Sequence, residues 1–189
     1  MNLINHIFSR VMKRNLYKNK MLKDPFTQFE KWFYFVKRLK IIPFYDRMGL
    51  STISKEGIPT SRIVLLKTID SKGFVFFTNY KSNKSIDIQL NPNASLLFYW
   101  PLIERQVRIN GKIEKVSVEE SESYFKTRPR KSQIGAWASK QSSVLKNREE
   151  LCQEIENYKK KYPDKNNVPR PSYWSGWNLN PNEIEFWLY

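Results

Sequence analysis

The sequence predicts a mainly β domain with helices, an antiparallel barrel of the α+β class with Greek-key-like connectivity. Three observations carry this. About six or seven short apolar or alternating runs are joined mostly by tight turns. The chain has 189 residues, of which 40% are hydrophobic, enough for one well-formed core. No Gly-x-Gly-x-x-Gly or Walker pattern follows a strand, so neither a dinucleotide-binding nor a P-loop architecture is indicated.

The elements follow in order. Pro25 to Lys40 is predicted helical: Asp24 suits the N-cap and Pro25 the first helical position. Phe26, Phe29, Phe33, Val36 and Leu39 form its apolar stripe, with Trp32 beside them. Met48 to Ser54 is a strand, Lys55-Glu56-Gly57 a turn, and Ile58 to Ile69 a second strand with Pro59 near its start. A turn at Asp70-Ser71-Lys72-Gly73 leads to a strand from Phe74 to Asn79. Ser82 can cap a short helix that ends at Asn91-Pro92. Ala94 to Trp100 and Arg105 to Ser117 are strands, the second with a possible bend at Asn110-Gly111. Val118 to Thr127 and Ser143 to Lys161 are helical patterns, and a further helix start follows Pro129. Tyr173 to Trp177 and Glu183 to Leu188 are the final strands, separated by the turn-forming Asn178-Leu179-Asn180-Pro181-Asn182.

The formal net charge is +15, from 33 basic and 18 acidic residues. Such a field attracts anions, whether nucleic acid, anionic lipid or small phosphates, and it also serves solubility alone. Within residues 1–23 the cations Arg10, Lys13, Arg14, Lys18, Lys20 and Lys23 form a basic segment read as a flexible arm before a domain of 24–189. No apolar run is long enough to span a membrane and no secretory leader is recognised, so a cytoplasmic location is expected. Cys152 is the single cysteine and His6 the single histidine. That speaks against a disulfide framework, a zinc site and histidine acid–base chemistry, so no catalytic residue or metal ligand is assigned.

Four constellations could bind an anion or a ring. Arg62-Ile63-Val64-Leu65-Leu66-Lys67 places Arg62, Val64 and Leu66 on one strand face and Ile63, Leu65 and Lys67 on the other. The two cations either serve different places or reach solvent at the strand ends. Phe76-Phe77-Thr78-Asn79 followed by Ser82-Asn83-Lys84-Ser85 makes a strand, a turn and a helix start. This is either a phosphate cradle or a capped helix with an exposed lysine. Gln106, within Glu104-Arg105-Gln106-Val107-Arg108, carries both donor and acceptor atoms; a solvated barrel face explains it equally well. The stretch from Tyr124 to Trp137 holds Arg128, Arg130, Lys131, Ser132 and a phenol around the stiff Pro129, a basic loop or an anion grip. Trp174, Trp177 and Trp187 either flank a bound ring or pack the core.

Taken together these segments resemble the pyridoxine/pyridoxamine 5′-phosphate oxidases, a family of FMN enzymes. The stretch Arg128 to Trp137 matches the R-P-x-x-S-Q-I-G-A-W signature. Arg62 to Lys67, Phe77-Thr78-Asn79, Glu104 to Val107, Ser139 to Ser143, Pro171 to Gly176 and Ile184 to Trp187 match in order and spacing. The resemblance covers about Asp24 to Trp187. It implies an FMN-binding split barrel and a homodimer with flavin at the interface. It implies that Arg62, Ile63, Val64, Leu65, Leu66, Lys67, Phe77, Thr78, Lys84, Gln106, Gln141, Ser142 and Trp187 bind FMN. It further implies that Lys67, Tyr124, Arg128 and Ser132 hold the substrate phosphate, and that Arg14 and Tyr17 correspond to a substrate-covering arm.

Two departures accompany the resemblance. Asn83 stands where the family usually has an arginine before the FMN-binding lysine. The sequence in hand ends at Tyr189, short of the family's R-x-H-x-R segment. The expectation is therefore oxidation of pyridoxamine or pyridoxine 5′-phosphate by FMN and O2, with release of hydrogen peroxide. The alternative is a weakly active or non-catalytic binder of FMN or pyridoxal phosphate. A basic nucleic-acid binder is a third reading, which would require aromatics exposed beside cations; neither nucleic acid nor membrane is the expected partner.

Overall fold

The computed structural model describes residues 21–40, 42–163 and 167–188. Arg14, Tyr17 and most of the predicted arm lie outside the described residues. Helix α1 spans Pro25–Leu39; the Asp24 carboxylate accepts from the N–H groups of Phe26 and Thr27, and Lys40 closes the helix in the left-handed conformation. Its buried residues Phe29, Trp32, Phe33 and Val36 recur at three- and four-residue spacing, as an amphipathic helix requires. They plug the barrel: the Phe29 ring meets Phe74 at 5.0 Å and Phe98 at 4.9 Å, both edge-on.

The strands are β1 (Arg47–Ile53), β2 (Pro59–Leu65), β3 (Thr68–Asp70), β4 (Gly73–Asn79), β5 (Asn93–Trp100), β6 (Arg105–Lys115) and β7 (Trp174–Leu188). They form one antiparallel sheet in the order β2-β1-β5-β6-β7-β4-β3. The predicted single strand from Ile58 to Ile69 is in fact two, and they occupy opposite edges of that sheet. Only Leu66 and Lys67 separate them, and the three Cα steps from Leu65 to Thr68 reach about 11 Å at most. The sheet must therefore curl until its edges nearly meet. The Lys67 N–H donates to the Val75 carbonyl at 2.9 Å, and the Leu66 N–H to that of Asp46 at 2.9 Å. The result is a split barrel of mixed α+β class. No glycine or proline marks the break, because closure imposes it.

The two predicted final strands are one. β7 runs through the Asn-rich stretch without a turn, paired with β4 alone from Trp174 to Gly176, with both β4 and β6 from Trp177 to Leu179, and with β6 alone beyond it. The expected bend in β6 is a bulge between Asn110 and Gly111. A Cβ on Gly111 would stand 2.1 Å from the Asn180 carbonyl oxygen, so only glycine fits there. Pro181 pairs opposite Gly111 where β7 has become an edge strand, a place where proline is tolerated.

Helices α2 (Asn83–Leu90), α3 (Val118–Thr127), α4 (Arg130–Ala138) and α5 (Arg148–Lys161) complete the fold. The last helix begins at Arg148 rather than Ser143, because the Asn147 side chain caps it by accepting from the Glu150 N–H. A second, smaller core of Phe125, Ile134, Val168 and Trp174 joins α3–α5 to β7. Among the described residues no helix is long and apolar enough to cross a membrane.

Candidate cofactor and substrate site

The alternation of β2 places Val64 and Leu66 in the core, while Ile63 and Leu65 face outward. Arg62 turns to the inner side at the barrel's end. Its Nη1 donates to the Leu50 carbonyl at 3.2 Å and to Thr52 Oγ1 at 2.6 Å; its Nη2 donates to Thr60 Oγ1 at 2.6 Å. Asp87, from α2, accepts from the Thr52 and Thr60 hydroxyls at 2.7 and 3.1 Å and lies 3.7 Å from Arg62 Nη2.

Lys84, one turn earlier on α2, is buried beside this group. Its ammonium donates to Ser82 Oγ at 3.0 Å, to Gln141 Oε1 at 3.0 Å and to Thr78 Oγ1 at 3.4 Å. Thr78 also donates to Gln141 Oε1 at 3.0 Å, and Ser142 Oγ accepts from the Asn83 N–H at 3.2 Å. Burial first, then the positive field of Arg62, pushes the Lys84 pKa down to about 8, against the pull of Asp87. Arg62 is lowered by burial as well, opposed by Asp87. Two desolvated cations thus share one carboxylate, and the uncancelled positive charge is what an anion site provides. The structure brings together five residues expected to hold the cofactor: Arg62, Thr78, Lys84, Gln141 and Ser142. Of the partners that organise them, Thr52, Thr60 and Asp87 carry no local sequence signal, since the hydrogen bonds from Thr52 and Thr60 to Asp87 join residues 35 and 27 apart in the chain.

A second cluster forms where α3 meets β4 and β7. The rings of Phe77 and Tyr124 stack at 4.1 Å, and those of Phe77 and Trp174 at 5.3 Å. The Arg128 guanidinium lies over Trp174 at 4.4 Å. Burial lowers the Arg128 pKa against the raising influence of Tyr124, and its Nη1 is buried with no hydrogen-bond partner among the described residues. An arginine donor in that condition is poised for an acceptor that the described residues do not supply. Ser132 stands half-buried in the first turn of α4, two residues into a helix that no side chain caps. Tyr124, Arg128 and Ser132 thus occupy one corner, formed by the end of α3 and the start of α4. Lys67 is held elsewhere, its ammonium 2.9 Å from Asp46 Oδ2.

Gln106 and Trp187 are cross-strand partners on the outer face of the sheet, and Gln106 also faces Tyr99. The strand registers put Ile63, Leu65, Leu97 and Tyr99 on that same face. It is open and mixed in character: Ile63 is 65% exposed and Trp187 50%, and the Arg108–Glu185 ion pair lies on it as well. The residues expected to bind one cofactor therefore fall on both sides of the sheet.

This fold and these paired cationic pockets define a split barrel suited to anionic ligands. The family model described as pyridoxamine 5′-phosphate oxidase matches residues 44–162. Two relatives, both pyridoxine/pyridoxamine 5′-phosphate oxidases, come from Pelagibacter ubique and Burkholderia lata. The first is 48% identical over 165 residues, covering 87% of this chain and 79% of the relative. The second is 50% identical over 164 residues, covering 87% and 75%. Among solved structures, PhzG from Burkholderia lata in complex with tetrahydrophenazine-1-carboxylic acid superposes with a TM-score of 0.86. It is 24% identical, and the match covers 94% of this chain and 87% of that one. A pyridoxamine 5′-phosphate oxidase-related, FMN-binding protein from Nostoc punctiforme gives 0.69 at 16% identity, covering 88% and 86%. These two likenesses speak to the fold. The chain belongs to the pyridoxamine 5′-phosphate oxidase family.

Proposed function

We propose that the protein binds FMN and oxidises pyridoxamine or pyridoxine 5′-phosphate to pyridoxal 5′-phosphate, with O2 as the electron acceptor and hydrogen peroxide as the by-product. The observation that carries this reading is the pair of separate, desolvated cationic pockets, one at Arg62 and Lys84 and one at Arg128. A reaction between two phosphate-bearing molecules calls for two such grips. Its relatives are oxidases by name.

Arg62 and Lys84, with Thr78, Gln141 and Ser142, hold the cofactor phosphate. The chemistry that FMN supplies when bound is acceptance of a hydride, which it passes on to oxygen. The protein's part is orientation and charge neutralisation. Arg128 presents its free N–H edge to the substrate phosphate while Trp174 backs its π-face. Tyr124 adds a neutral donor, and Ser132 offers a hydroxyl at the helix start. Lys67 joins them once an anion draws it from Asp46. Ile63, Leu65, Gln106 and Trp187 contribute from the opposite face of the sheet. One copy cannot wrap both faces around one ligand, so the outer face seats a second copy of the chain. The working form is a homodimer with shared sites.

The test begins with the purified protein's visible spectrum after addition of FMN. Pyridoxamine 5′-phosphate is then supplied, and aldehyde and peroxide are followed together. The reading expects a bound-flavin spectrum and equal yields of both products. Absence of flavin binding at micromolar FMN overturns it. Binding without product overturns the oxidase activity alone.

A further inference from the structure

We propose that Asp87 is a specificity-determining residue of the Arg62–Lys84 pocket, whose carboxylate cancels one cationic charge and so lowers the pocket's preference for a diphosphate over a single phosphate group. This rests on the reading of Arg62 and Lys84 as phosphate ligands. Asp87 is itself buried, on the side of α2 that faces β1 and β2. Its Oδ2 takes the protons of both Thr52 and Thr60. Their lone pairs are thereby left to accept from Arg62 Nη1 and Nη2, both at 2.6 Å. With the Leu50 carbonyl, these acceptors occupy one edge of the guanidinium. The other edge is left for a ligand, in a plane that the carboxylate sets through the two hydroxyls. Two cations and one carboxylate leave a net single positive charge. Interaction with a pocket charge scales with ligand charge, so the charge that Asp87 cancels would have favoured a pyrophosphate over a single phosphate.

The experiment compares inorganic phosphate with pyrophosphate by isothermal calorimetry on the full chain. Riboflavin, which carries no phosphate, is titrated as a control by fluorescence quenching. Asp87→Asn keeps an oxygen acceptor for the threonines and removes the charge. It is expected to raise the ratio of pyrophosphate to phosphate association constants about tenfold and to leave riboflavin binding unchanged, while Asp87→Glu keeps the wild-type ratio. Lys84→Gln takes the pocket to zero net charge and is expected to lower the same ratio. Asp87→Ser, which also removes the carboxylate charge, takes the place of Asp87→Asn if that variant does not fold. An unchanged ratio on neutralising Asp87, or no phosphate binding at millimolar concentration, overturns the proposal. Failure of FMN to bind while phosphate still binds with these ratios overturns the FMN assignment and leaves the role of Asp87 standing.

Discussion

Arg62 and Arg128 show two ways of keeping a guanidinium out of water. Arg62 is surrounded by polar acceptors: two threonine hydroxyls, a carbonyl and the nearby Asp87 carboxylate. Arg128 has a platform instead, the Trp174 ring at 4.4 Å and the Phe125 ring at 5.6 Å, and keeps an unpartnered Nη1. The first is fixed by hydrogen bonds and already holds a counter-charge. The second is fixed by stacking and has no carboxylate partner among the described residues. A phosphate therefore adds more to the second than to the first, since it supplies a hydrogen bond where none exists.

The sharpest way to break this contrast is to remove the platform. Phe125 is fully buried at the join of α3 and β7, its ring 5.0 Å from Trp174. Phe125→Ala is expected to cost about 3–5 kcal/mol of stability in urea unfolding. FMN affinity of the surviving folded protein should change little. If FMN affinity collapses as well, the two pockets are not independent.

Removing each cation comes next. Arg128→Ala should weaken substrate binding by about 1.5–3 kcal/mol, seen as a raised KM for pyridoxamine 5′-phosphate with FMN affinity retained. Arg62→Ala should do the reverse. If the two variants give the same pattern, the assignment of one pocket to each ligand fails. A milder change is Arg128→Lys, which keeps the charge and loses the planar stack. A loss of about 1 kcal/mol in substrate binding is expected from steady-state kinetics.

The smallest effect is the dependence on pH. Lys84 has its pKa pushed from its ordinary 10.5 to about 8 by burial and by Arg62. Between those values the unfolded chain keeps a proton that the folded chain has released. Folding stability contributed by this group therefore rises with pH across that window, and the cost of burying the charged form is fully present below it. Phosphate binding behaves oppositely: the affinity for FMN should fall as pH climbs through about 8, while Lys84→Gln loses that dependence. A flat fluorescence titration from pH 7 to pH 9.5 would show that Lys84 does not meet the phosphate.

Much of the site was legible because its residues are clustered along the chain. Ser82 to Lys84 sit at a strand-to-helix junction, and Tyr124 to Ser132 surround a proline, so local pattern alone marks them. Asp87, Thr52 and Thr60 were not legible as a unit, because a hydrogen-bond triad across distant segments has no local period. Gln106 was read with an open alternative for a related reason: alternation tells that a side chain faces outward, not what meets that face.

The chain by itself determined the helix stripe of α1, the turns at residues 55–57 and 70–73, the cap at Asp24, and the two faces of β2, since each depends on residues within a few positions of one another. Only the tertiary structure decided that Ile58 to Ile69 must split, that Asn178 to Asn182 stays extended, and that Arg62 shares Asp87 with Lys84. The physical reason is the same in each case. Barrel closure and two-sided strand pairing are imposed by segments far away in sequence, and they override what local turn chemistry and apolar runs prefer.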